Sequence, residues 1–96
     1  MLLKNKVALI TGSNRGVGLS ILKKFSENGA EIIACARTKN EEFEKLISEI
    51  SQKYQNKITP VYFDLTKENE IVKGLEEIEK ISGKIEIIVN NAGVNQ

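Results

Sequence analysis

Histidine is absent from the 96 residues, and cysteine occurs once, as Cys35. Without an imidazole, the common zinc ligand sets and a Cys-His nucleophile pair cannot be built. Cys35 stands in the apolar run Ile32-Ile33-Ala34-Cys35-Ala36, which makes it a core residue. Long apolar runs are also lacking. No stretch of about 18 such residues occurs, and Met1 to Lys6 carries no apolar leader segment, so the expectation is a cytoplasmic protein outside the membrane. An excess of charge of one sign is missing too: 14 Lys and Arg oppose 13 Asp and Glu, a net charge of +1. That balance gives no electrostatic case for nucleic acid or a membrane surface as partner. Proline occurs once, as Pro60. Its missing N–H is easier to place on an edge strand than in a sheet centre.

What remains is an ordinary globular composition, with 41% hydrophobic and 28% charged residues. The chain is long enough for one core and makes at most one small domain. Apolar runs alternate with segments of helical period. Lys6 to Thr11 reads as a first strand. Val17, Ile21 and Phe25, with Leu22 beside them, form a helical stripe ending at a left-handed cap, Asn28-Gly29. Glu31 to Ala36 lacks polar alternation, as expected of a parallel strand covered on both faces. Thr38-x-x-Glu41 has the spacing of a capping box, and Phe43, Leu46, Ile47, Ile50 and Tyr54 make the next stripe. Ile58 to Phe63 is a third strand. Ile71, Leu75, Ile78 and Ile81 mark a third helix ended by Gly83, and Ile85 to Asn90 is a fourth strand. The order β-α-β-α-β-α-β, with long connections, predicts an α/β fold with a doubly wound parallel sheet.

One segment carries chemistry. Thr11-Gly12-Ser13-Asn14-Arg15-Gly16-Val17-Gly18 follows the first strand and opens the first helix. A backbone that must approach a pyrophosphate at a strand end needs side chains nearly absent at the turn, and only glycine meets that demand. The helix that follows offers unpaired N–H groups and a partial positive charge to an anion. The spacing G-x-x-x-G-x-G departs from the common G-x-G-x-x-G pattern. A turn built from small residues would read similarly, but the position between strand and helix is the one the phosphate mechanism requires.

This spacing resembles that of the short-chain dehydrogenase/reductase family, and the likeness runs from Lys6 to the last residues. Two further motifs match the family. Asn90-Asn91-Ala92-Gly93 follows the fourth strand, and Asp64-Leu65 follows the third. The resemblance implies a Rossmann-type sheet of order 3-2-1-4, with residues 1–96 as the amino-terminal, dinucleotide-binding half of one domain. It implies that Gly12, Ser13, Asn14, Arg15, Gly16, Val17 and Gly18 cradle the cofactor. Asn91, Ala92 and Gly93 would then lie along the adenosine ribose, Asp64 and Leu65 would contact the adenine, and Asn90 would brace the sheet. Asp64 also reads simply as a turn residue before Thr66, and the two roles are compatible.

Cofactor choice follows from charge. NAD-dependent enzymes place a carboxylate at the end of the second strand, where it binds both ribose hydroxyls. Here that position is Ala36, followed by Arg37 and Thr38. Arg37 and Arg15 can pair with a 2′-phosphate, and Thr38 can add a hydroxyl. Two charge-assisted contacts of about 1.5 to 3 kcal/mol each favour NADP(H) by two or more orders of magnitude. Solvated surface arginines are the bland alternative.

The family's reductive chemistry uses a Tyr-x-x-x-Lys pair on a later helix, with an assisting serine and asparagine. None can be assigned here. Tyr54-Gln55-Asn56-Lys57 has the wrong spacing, and Tyr54 continues a core stripe. The expectation is therefore the cofactor half of an NADP(H)-dependent oxidoreductase that interconverts a carbonyl and an alcohol, with catalytic groups beyond Gln96. Register and motif spacing follow the 3-oxoacyl-acyl-carrier-protein reductases, while sugar, steroid and small-ketone reductases share the same opening. The alternatives are a non-catalytic NADP(H)-binding module and an inactive fragment. Family members commonly form homo-oligomers, which the resemblance implies for the full-length form. An open edge at the fourth strand predicts self-association of the 96-residue chain.

Overall fold

The computed structural model describes residues 1–91. Its elements alternate as the hydrophobic pattern requires: β1 (Val7–Ile10), α1 (Gly16–Glu27), β2 (Glu31–Ala36), α2 (Glu41–Tyr54), β3 (Ile58–Tyr62), α3 (Glu68–Ile81) and β4 (Ile87–Val89). The four strands form one sheet in the order β3-β2-β1-β4, and every pairing is parallel. Pro60 lies on the edge strand β3, opposite Ala34 of β2.

Side chains of a strand alternate between faces, so β2 divides the core in two. Ile32, Ala34 and Ala36 join Ala8, Ile10, Leu22, Phe43, Ile47 and Ile50 on the side of α1 and α2. Ile33 and Cys35 join Val61, Phe63 and Ile78 on the side of α3. Both faces of the central strand are therefore dry, which is why its sequence carries no polar alternation. Leu22, Ile32 and Ile33 have no exposed surface. Burial of each stabilises the fold by about 1.5 to 3 kcal/mol.

Helix ends show where local chemistry departs from pattern reading. α1 closes as expected: Gly29 adopts φ +92, and its N–H reaches the Ser26 carbonyl at 3.0 Å. α2 does not use the Thr38-Glu41 box. Asn40 is its N-cap, accepting the Phe43 N–H at 3.1 Å, because an Asx oxygen on an extended residue next to the helix reaches the third amide directly. α3 is closed by Ser82 in an extended conformation rather than by Gly83, and the Ser82 hydroxyl bonds to Lys84 on both sides. β4 is shorter than the apolar run suggests. The Glu86 N–H still donates to the Val7 carbonyl at 3.0 Å, but its carboxylate accepts the Val7 N–H at 2.8 Å, so a side chain takes one of the backbone partners just before the strand begins.

Candidate cofactor-binding site

All parallel strands point their carboxyl ends to one side of a sheet, and described residues of the three sequence motifs meet there. They border a crevice of about 510 Å³, inside the range of about 300 to 1,000 Å³ typical of ligand pockets. Gly12, Asn14 and Arg15 line it from the β1–α1 turn, Arg37 and Thr38 from the end of β2, Asp64 and Leu65 from the end of β3, and Asn91 from beyond β4.

Gly12 and Gly16 have φ of +59 and +57, the left-handed region that an L side chain resists. Gly18 serves differently. A Cβ there would be driven into the Gly12 carbonyl oxygen and would approach Asn91 Nδ2 to 2.8 Å. Its bare backbone lets α1 start directly against the strand end. Arg15 is the N-cap of α1 and makes no side-chain cap bond, and the first turn holds no acidic residue. The amide donors of that turn thus have neither a capping oxygen nor a neighbouring carboxylate, as an anion cradle requires.

Other predicted residues stand around the cradle without lining it. Ser13 is fully buried. Its N–H and its hydroxyl both donate to the Cys35 carbonyl, at 3.1 and 3.0 Å, and so pin the glycine turn to β2. Gly16 and Val17 form the exposed first turn of the helix, with Val17 65% exposed. Asn91 is both a lining residue and a brace: its N–H donates to Thr11 Oγ1 at 2.8 Å, and its Nδ2 donates to the Gly12 carbonyl at 3.3 Å. The Thr11 hydroxyl lies 3.3 Å from Asn90 Oδ1, so both asparagines tie the end of β4 to the end of β1. Ala92 and Gly93 lie outside the described residues.

Asp64 is buried against the crevice wall. Its Oδ1 accepts the Thr66 N–H at 2.9 Å and the Thr66 hydroxyl at 2.7 Å, while its Oδ2 accepts Arg37 Nε–H at 3.2 Å. The Thr66 bonds, and then the Arg37 charge, hold its carboxyl below the ordinary aspartate value. The turn-residue reading and the crevice position hold together at this one residue. Cys35 also borders the crevice, but burial pushes its thiol up to about 12, so it stays protonated and is no nucleophile at neutral pH. Among the described residues no group of three or more His, Cys, Asp or Glu is placed to hold a metal ion, and no helix is long and apolar enough to cross a membrane.

A family model described as short chain dehydrogenase matches residues 6–96. The chain belongs to the short-chain dehydrogenase family. A 3α-hydroxysteroid dehydrogenase of Mediterraneibacter gnavus is 34% identical over 97 residues, and a 3-oxoacyl-[acyl-carrier-protein] reductase of Aquifex aeolicus is 38% identical over 94. These alignments take in 100% and 98% of this chain, which spans 38% of the length of each relative. L-sorbose reductase from Gluconobacter frateurii, solved in complex with NADPH and L-sorbose, superposes with a TM-score of 0.87 at 30% identity, covering 100% of this chain and 36% of that one. A short-chain dehydrogenase/reductase from Serratia marcescens gives a TM-score of 0.85 at 26% identity, covering 98% and 38%.

In this short-chain dehydrogenase chain, three crevice residues belong to none of the sequence motifs: Cys35, Phe63 and Thr66. Cys35 is the next-to-last residue of β2, and Phe63 and Thr66 flank Asp64-Leu65. The signal for Thr66 was its spacing from Asp64, since Asp followed two residues later by Thr is the pattern of an Asx turn.

Proposed function

We propose that the chain forms the dinucleotide-binding part of an oxidoreductase that prefers NADP(H) and interconverts a carbonyl and an alcohol. The observation that carries this reading is the meeting of an uncapped, glycine-bounded helix start with two arginines, Arg15 and Arg37, on one crevice at the strand ends. A bound nicotinamide dinucleotide supplies the hydride chemistry. The residues described here bind and orient it.

In this reading the backbone of Gly12, Ser13, Asn14, Arg15, Gly16, Val17 and Gly18 embraces the pyrophosphate, with the amides at the start of α1 facing its charge. Arg37, Arg15 and Thr38 take the 2′-phosphate, for which Ala36 leaves room and adds no opposing carboxylate. Asp64 and Leu65 border the adenine, and Asn91, Ala92 and Gly93 follow the ribose. Acyl-carrier-protein-bound 3-oxoacyl groups, sugars and steroids are the substrate classes that the relatives' names suggest. The proposal extends to a cytoplasmic protein that forms homo-oligomers at full length.

Titration of NADPH and NADH, by fluorescence, into the natural chain and into Arg37→Ala and Arg15→Ala tests it. NADPH is expected to bind at least about tenfold more tightly than NADH, a difference of roughly 1.4 kcal/mol, and each substitution is expected to erode that preference. Equal affinities of all three proteins for both dinucleotides would overturn the NADP(H) reading.

A further inference from the structure

Arg37 is 75% exposed at its side chain, yet it is held at one point by a carboxylate that is only 10% exposed. The two oxygens of Asp64 are divided between partners: Thr66 takes Oδ1 twice, and Arg37 Nε takes Oδ2 at 3.2 Å. The backbone of Asp64 is tethered as well, donating its N–H to Glu70 Oε1 at 3.0 Å. A carboxylate clamped in this way is a rigid anchor. A guanidinium engaged through Nε keeps four N–H donors on its two terminal amino groups. A free surface arginine would have to give up its rotamer freedom on seizing a phosphate, whereas an anchored one has already lost part of it.

We propose that Asp64 is a positioning residue for Arg37, orienting its guanidinium so that the terminal amino groups grip the 2′-phosphate of the dinucleotide. The inference rests on the NADP(H) preference proposed above and adds a specificity role for a residue whose matched motif concerns the adenine. Charge alone argues the opposite sign. An Asp64 that merely neutralised Arg37 would weaken phosphate binding, and its removal would strengthen it.

The 96-residue chain can be tested with adenosine 2′,5′-bisphosphate and with 5′-AMP, which differ by the phosphate in question. Calorimetric titration of both ligands is made on the natural chain, Asp64→Asn, Arg37→Ala and the double variant, with circular dichroism as the check on folding. Asp64→Asn is expected to lower the preference for the bisphosphate over AMP by about five- to tenfold, any change at the adenine being common to both ligands, and to leave that preference unaltered once Arg37 is alanine. An unchanged preference, a loss of preference that persists in the Arg37→Ala background, or a raised preference for the bisphosphate in Asp64→Asn would each overturn the positioning role. An Arg37→Ala chain with unchanged discrimination between the ligands would instead overturn the NADP(H) reading itself. Arg37→Lys gives a second arm that leaves Asp64 intact. A lysine keeps the charge but cannot be anchored through one nitrogen while presenting others, so selectivity for the bisphosphate should fall by a similar factor, and full retention would count against the proposal.

Discussion

Gly18 lies directly beneath the Gly12 carbonyl, so close that the first carbon of any side chain would strike that oxygen. The start of α1 and the end of β1 thus share a space that only two hydrogens of a glycine can occupy. Asn91 closes the same contact from the β4 side by donating its Nδ2 to the Gly12 oxygen. The glycine turn is consequently a packing arrangement as much as a turn.

Gly18→Ala tests that relationship. The neighbours that must give way are backbone and a hydrogen-bonded asparagine, so the added methyl should cost about 1 to 3 kcal/mol, as overpacking does elsewhere. Thermal denaturation should show a lowered Tm, and dinucleotide titration should show weakened binding of NADPH and NADH alike. A variant with unchanged Tm and unchanged binding would show that the turn relaxes freely.

Acid should loosen the chain through two carboxylates. Asp64 is held below its ordinary value by the Thr66 bonds and the Arg37 charge, and Glu86 by the Val7 N–H and neighbouring lysines. Groups with depressed folded values contribute stability that is complete above their unfolded values and is lost as pH falls through the folded ones. Tm should therefore be flat through neutral pH and begin to fall near about pH 4 and below. Asp64→Asn should flatten part of that acid limb. Identical acid limbs in the two proteins would refute the assignment.

Among the described residues β4 has no strand on its outer side, and Ile88 on it is 70% exposed. Val72 and Leu75 of α3 add apolar surface at 51% and 57% exposure. An open edge beside exposed apolar side chains invites pairing with another copy. Light scattering on the 96-residue chain should detect self-association, and Ile88→Lys, which places a charge on the edge, should reduce it. A monodisperse monomer at high concentration would contradict this expectation.

Much of this arrangement is legible in the residues because burial imposes periodicity. Ile32-Ile33-Ala34-Cys35-Ala36 has no polar alternation because helices cover both faces of β2, and Pro60 sits on an edge because a ladder has no use for a residue without an N–H. Local hydrogen bonding was harder to read. Thr38 and Glu41 have capping-box spacing, yet Asn40 caps α2, since three competing side chains lie within one turn and only backbone geometry selects among them. Ser82 rather than Gly83 closes α3 for a similar reason. Glu86 shortens β4 through a contact with Val7, 79 residues away in sequence, which no local pattern can express.

The order of elements, the parallel sheet and the glycine-bounded helix start are determined by the sequence itself, because hydrophobic period and the conformational freedom of glycine are properties of neighbouring residues. The tertiary structure alone decided that Ser13 turns inward to the Cys35 carbonyl, that Asn91 braces Gly12, and that Asp64 holds Arg37. Those pairings join groups from separate strand ends, and their distances exist only once the parallel sheet has brought all those ends to one side.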